Sequence, residues 1–153
     1  MPVMRRLVQT AQGRSRDDAN TGAVMGPLII EPVVQKNVGD CVLASLSMIF
    51  GIPYQEVSTV ALSHYPECAH QGLSTRQTMV IVKALGRTLQ SIKVPDAHTL
   101  EGETGLLDIR MGRLYHTVVL FQGVVLNPAD GLVYDLDTFL ASRHAIPTRF
   151  FRP

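Results

Sequence analysis

Gln35-Lys36-Asn37-Val38-Gly39-Asp40-Cys41-Val42-Leu43-Ala44 places a thiol where a polar, glycine-bearing turn gives way to an apolar run. From Cys41 to Phe50 only Ser45 and Ser47 are polar, which predicts a helix buried on nearly every side with the cysteine at its front end. The first turn of a helix carries unpaired N–H groups and partial positive charge, and both favour a thiolate over a thiol. Gln35 lies six residues before Cys41, so a short turn brings its amide beside the sulfur. That NH2 group and the Cys41 N–H then form an expected oxyanion site for a carbonyl under attack. Cysteine is also a common small core residue, and Asp40 serves equally well as a helix N-cap that accepts from an N–H two or three residues on. Being anionic, Asp40 opposes a thiolate. A nucleophilic Cys41 therefore requires a base elsewhere in the chain.

The chain as a whole limits what that chemistry serves. Its 153 residues suit one ordinary domain, and 46% hydrophobic residues suffice for a core. Fourteen basic against 13 acidic side chains leave a formal charge of +1, which provides no general field for nucleic acid or an anionic membrane. Two cysteines make no disulfide framework, and no stretch reads as a secretory signal or a membrane span. The expected setting is cytoplasmic and reducing, which suits a free thiol. Residues 1–26 lack the periodicity of a packed element and are expected to be a flexible N-terminal arm, either a solvated terminus or a docking or leader-like tail. Residues 27–153 are expected to form the folded domain.

Outward from Cys41, the segment Leu28 to Val34 reads as a short strand that Pro32 confines to an edge. Gly51 ends the cysteine helix, and a second helix begins at Pro53 with Val57, Val60, Ala61 and Tyr65 at helical spacing before Pro66 closes it. His64, Cys68 and His70 are possible metal ligands, but Pro66 breaks the face that would align them and no second ligand pair follows. A surface loop and no metal are the expectation. Ser74 and Gln77 form a capping box for a helix running to Leu85, with Met79, Val80, Val82 and Leu85 expected inside and Gly86 as its cap. A strand over Arg87–Val94 and a polar loop through Gly105 follow.

The second half changes character. Leu106–Arg110 reads as a strand, and Tyr115–Phe121 with Val124–Asn127 as a hairpin about Gln122-Gly123. Val133 and Tyr134 add one short strand, and Leu136–Ser142 reads as a terminal helix starting near Asp135 or Asp137. Helices first and an antiparallel sheet afterwards describe an α+β domain of two layers with a cleft between them.

His116 interrupts an otherwise apolar, β-branched strand, and a polar ring there needs a reason. With Gln122 and Gly123 at the turn, Phe121 faces Val124 and Val118 faces Asn127, so His116, Val118 and Asn127 share one side. Asn127 is then the diagonal neighbour that accepts the ring N–H. Asp130 is the reserve for this role, although a turn residue before Gly131 is its simpler reading. His64, His70, His98 and His144 lie near element ends or in loops and are expected to be solvated.

Gln35, Asp40 and Cys41 resemble the active-site opening of papain-like cysteine peptidases, and more closely that of the double-glycine leader peptidase (bacteriocin-processing) family and its free-standing relatives. Val42 stands where papain itself has an aromatic residue. The leader peptidases also carry an aromatic-flanked histidine in a valine-rich strand followed by Asp-Pro. Here the dipeptide is Asn127-Pro128, with Asn as in papain. The resemblance implies a papain-like fold with the active site in the cleft between helices and sheet. It implies Cys41 as nucleophile, His116 as general base and then acid, Asn127 as the residue that fixes the imidazole, and Gln35 as oxyanion donor. It implies no cofactor, and a peptide or protein substrate, a leader peptide included. The sequence contains no ATPase motif, so a transporter or secretion partner is expected to be separate. A module that grips a peptide without cutting it, and an acyl transferase or deamidase, are the competing readings.

Overall fold

The structure is a computed structural model that describes residues 30–94 and 97–153. The expected arm over residues 1–26 lies outside the described residues, as do Leu28 and Ile29.

The first helix, α1 (Cys41–Phe50), begins at the cysteine, with the Asp40 carbonyl accepting from the Ala44 N–H at 3.1 Å. Every residue from Val42 to Met48 is buried, as the unbroken apolar run requires. The two serines are accommodated because each hydroxyl has a partner, Ser45 on the Thr117 carbonyl at 3.3 Å and Ser47 on that of Ile52 at 2.6 Å. Gly51, at φ 63°, supplies the left-handed residue that ends the helix.

Next come α2 (Tyr54–His64), the one-turn α3 (Cys68–Gln71) and α4 (Thr75–Ala84). Where a surface loop was expected around Cys68, α3 buries that thiol to 2% exposure. The capping box forms as read: Gln77 N–H donates to Ser74 Oγ at 3.2 Å and Ser74 N–H to Gln77 Oε1 at 2.9 Å. The inner face of α4 is close to the expected one, with Met79, Val82 and Leu85 packed against the core. Thr78, Ile81 and Val82 are buried, whereas Val80 points outward. The spacing 78, 81, 82 is what a 3.6-residue turn places on one side, and Thr78 is tolerated inside because its hydroxyl donates to the Ser74 carbonyl at 2.9 Å.

The remaining elements are β1 (Gln90–Lys93), a 3-10 turn (Ala97–Leu100), β2 (Thr104–Met111), β3 (Leu114–Phe121), β4 (Val124–Asn127), β5 (Leu132–Asp135), α5 (Leu136–Ser142) and β6 (Ile146–Arg152). They form one antiparallel sheet in the order β1-β6-β2-β3-β4-β5. The β3–β4 register is the expected one, with Phe121 opposite Val124 and Val119 opposite Leu126. Gln122 at φ 48° and Gly123 at φ 82° give the turn two positive φ values, which suits the twist of a two-residue hairpin.

Three expectations are corrected. Residues 30–34 carry no strand; the segment is tied instead by Gln35 N–H to the Pro128 carbonyl at 2.8 Å. The helix over Leu136–Ser142 is not terminal, because β6 follows it and inserts between β1 and β2. Pro147 obscured that strand in the sequence. It is admitted because the β2–β6 ladder shifts register between Asp108 and Ile109, at a bulge where a missing N–H is tolerated. Finally, the sheet is covered on both faces. Leu106, Val119, Leu126 and Phe151 pack under α1, α2 and α4, while Leu107, Ile109, Val118, Leu120 and Phe150 pack under α5. The consecutive apolar residues of β2, β3 and β4 are those of strands buried on both sides.

Candidate active site

The turn ahead of α1 is held from below by α3. Gly39 N–H donates to the Ala69 carbonyl at 2.8 Å, and a Cβ on Gly39 would fall inside contact distance of the Cys68 and Ala69 carbonyls. Asp40 is fully buried, but it is not the side-chain N-cap expected from the sequence. Its carboxylate turns back to accept from Lys36 N–H at 3.2 Å, Asn37 N–H at 2.8 Å and the Tyr54 hydroxyl. Burial, and then the bond to Asp40, push the Tyr54 hydroxyl well above its ordinary pKa, so it remains a donor. These contacts organise the loop that delivers Cys41, and the several donors meet the hydrogen-bonding demand of a buried carboxylate.

Cys41 opens onto a cavity of about 350 Å3, lined also by Val42, Asp108, Tyr115, His116, Thr117 and the segment from Gln71 to Thr75. His116 and Thr117 leave β3 on opposite sides, yet both reach it. The last β3–β4 pair is Val119 with Leu126, so the start of β3 is an edge that the cavity wraps around. His116 and Asn127 are joined at 2.8 Å, Nε2 to Oδ1. Asn127 is 5% exposed, and its Oδ1 also accepts from Ala129 N–H at 3.2 Å. An amide oxygen accepts, so the ring proton sits on Nε2 and Nδ1 keeps its lone pair. Asp130 is occupied elsewhere, accepting from Leu132 N–H at 2.9 Å and Tyr134 hydroxyl at 2.5 Å.

Burial lowers the pKa of His116 and outweighs the bond to Asn127, which raises it. The imidazole is therefore neutral at pH 7. Burial also raises the Cys41 thiol, against the Thr117 backbone, while Asp108 raises it further. The expected thiolate preference of the helix N-terminus survives only as a smaller opposing effect from the Val42 backbone. Cys41 and His116 thus face the same cavity as a neutral thiol and a neutral base, and among the described residues no hydrogen bond joins them directly.

Gln35 lies on the turn leading to Cys41, with its NH2 donating to the carbonyls of Asn37 at 2.9 Å and Val38 at 3.4 Å. Its Oε1 is buried without a partner among the described residues. His64, His70, His98 and His144 are all exposed. Among the described residues no group of three His, Cys, Asp or Glu could hold a metal ion, and no helix is long and apolar enough to cross a membrane. Sequence reasoning missed Asp108 and Thr117 as cavity residues. The signal was present, since Asp108 is a charge inside the apolar run Leu106-Leu107-Asp108-Ile109, as His116 is a polar ring in the next strand.

The fold, an antiparallel sheet with a cysteine-bearing helix on one face and a cavity at the helix tip, is shared with solved peptidase domains. Among solved structures, the chain is similar to a double-glycine-motif protease from an AMS/PCAT transporter in complex with the leader peptide, with TM-score 0.56, 16% identity, and coverage of 81% of this chain and 91% of that one. It is also similar to the peptidase domain of Streptococcus mutans ComA, with TM-score 0.54, 19% identity, and coverage of 80% and 99%. A Streptococcus ComA peptidase domain, from a bifunctional ABC transporter, gives TM-score 0.51, 14% identity, and coverage of 79% and 96%. No family model and no curated protein matches the chain.

Proposed function

We propose that this protein is a papain-like cysteine peptidase that cleaves a peptide or isopeptide bond through Cys41, His116 and Asn127. The observation that carries the reading is the oriented imidazole, bound to Asn127 at 2.8 Å and sharing a cavity with a cysteine at a helix tip. The exposed aromatic side chain that lines the cavity, Tyr115 at 72%, supports a peptide as the ligand that covers it. By analogy with the complexed neighbour, a leader peptide is the proposed substrate and a transporter the proposed partner, in the cytoplasm.

Both groups start neutral, so the chemistry is general-base catalysis rather than attack by a preformed thiolate. His116 Nδ1 takes the thiol proton as Sγ bonds to the carbonyl carbon, and the carbonyl π pair moves to oxygen. Cys41 N–H and the Gln35 amide hold that oxyanion, which requires the amide to turn from the Asn37 and Val38 carbonyls it now binds. The buried, unpartnered Oε1 makes the resting position of Gln35 a costly one to keep. The C–N bond then breaks, the imidazolium proton passes to the leaving amine, and a thioester remains. Water, activated by the same imidazole, releases the acyl group.

Incubation of the protein with leader-type peptides, read by mass spectrometry, is the test. Wild type is expected to cleave and to carry a thioester-trappable Cys41, while Cys41→Ala keeps its fold and loses turnover. Retained turnover in Cys41→Ala overturns the assignment. The missing direct bond between Cys41 and His116 favours a second reading, a peptide-binding module; tight peptide binding with no cleavage and no reaction at Cys41 would establish it.

A further inference from the structure

One half-buried carboxylate in the cavity has no task in the proposed catalysis. Asp108 projects from β2 toward Cys41, and its Oδ1 accepts from the Thr117 hydroxyl at 2.6 Å. Its other oxygen makes no hydrogen bond among the described residues. Arg149 stands opposite it in β6, but the guanidinium donates to Ser91 at 2.8 Å and forms no ion pair with Asp108 among the described residues. The other groups around the carboxylate are Cys41 from α1, Tyr115 and His116 from β3, and Ser74 and Thr75 at the start of α4. The cavity therefore holds one anion and no fixed cation.

A carboxylate without an ion-paired partner beside a nucleophilic sulfur opposes catalysis, because it disfavours negative charge on sulfur. The conflict disappears when a cation enters. We propose that Asp108 is the specificity-determining residue of this cavity, its carboxylate binding a protonated amine or guanidinium carried by the substrate beside the scissile bond. This rests on the peptidase reading. Burial holds the Asp108 carboxyl above its ordinary range, and the Arg149 charge only partly offsets this, so a cation that pairs with it relieves a desolvated charge. The same pairing removes the repulsion that Asp108 exerts on Cys41, so binding the correct substrate also activates the thiol. Thr117 fixes the carboxylate, leaving Oδ2 for the incoming donor.

The test has two arms. In the first, the wild type and Asp108→Asn digest matched N-acetylated peptides with Lys, Arg, norleucine or Glu within two residues of the scissile bond, and one neutral peptide with a free α-amine. Wild type is expected to favour the cationic peptides by roughly tenfold or more in kcat/KM, the size of one charge-assisted hydrogen bond, and Asp108→Asn to lose that preference. Preference for the free α-amine alone identifies a chain terminus rather than a side chain as the source of the cation. In the second arm, iodoacetamide labels Cys41 of wild type at near-neutral pH with Nα-acetyl-arginine amide or its neutral norleucine analogue present. Faster labelling with the cation only, an effect absent in Asp108→Asn, is expected. Equal preference in both proteins, or labelling indifferent to the cation, overturns the proposal. Cation-dependent labelling without any peptide cleavage keeps the Asp108 site and rejects the peptidase reading. Should Asp108→Asn fail to fold, Asp108→Glu, which keeps the charge, is expected to retain the cation effect, and wild-type labelling indifferent to the cation still overturns the proposal.

Discussion

At the scale of the residue, the site pairs a thiol and an imidazole that burial keeps neutral. Burial lowers the His116 pKa below the ordinary 6.5, so the proposed base stays uncharged through neutrality and kcat/KM is expected to fall only below that value. Asn127 raises the pKa by accepting the ring N–H. Asn127→Ala is therefore expected to lower kcat by roughly ten- to a hundredfold through lost orientation, and to move the acid limb to still lower pH. A pH–rate profile separates this from general damage, which would lower the plateau without moving the limb. His116 and Asn127 were legible because a two-residue period and a two-residue turn fix which side chains are neighbours. The direction in which the Cys41 thiol titrates was not legible, because the helix tip is a local feature whereas burial depends on β2 and β3 arriving above it.

At the scale of the element, the turn from Gln35 to Asp40 decides where Cys41 stands. It is clamped by α3 below and by Asp40 within. Gly39→Ala would drive a Cβ into the Cys68 and Ala69 carbonyls. Overpacking against backbone costs about 1–3 kcal/mol, so a lower Tm and weakened activity are expected from thermal melts and turnover assays. Tyr54→Phe removes one donor from the fully buried Asp40. The expected loss is about 1–3 kcal/mol in denaturant unfolding, because the carboxylate is left less satisfied. The sequence marked Asp40 as important but assigned it to the helix, since the cap position is a local pattern. Tyr54, fourteen residues on, competes for it only after α2 has folded back beside the turn.

At the scale of the whole molecule, the sheet separates two cores, and the cavity sits at the edge where β3 outruns β4. The second core depends on α5, whose Phe139 is fully buried and packs beside Tyr134, with Arg143 4.1 Å above its ring. Phe139→Ala is expected to cost about 3–5 kcal/mol, read as a fall in Tm, by opening a cavity under the sheet. Turnover is expected to fall as well, because His116 and Asn127 leave the sheet on the face that α5 covers and Arg143 at its end acts on the His116 ring.

The sequence alone determined the helix that carries Cys41, the capped start of α4, the β3–β4 register and the identity of the His116–Asn127 pair. Each rests on contacts between residues close along the chain, where periodicity, capping and turn chemistry act. Tertiary structure alone decided that β6 enters between β1 and β2, that α5 covers the far face, that Asp40 binds Tyr54, and that Asp108 stands beside Cys41. Those outcomes depend on strands and helices distant in sequence meeting in space, and burial, which sets the charge state of the thiol and the imidazole, exists only once they have met.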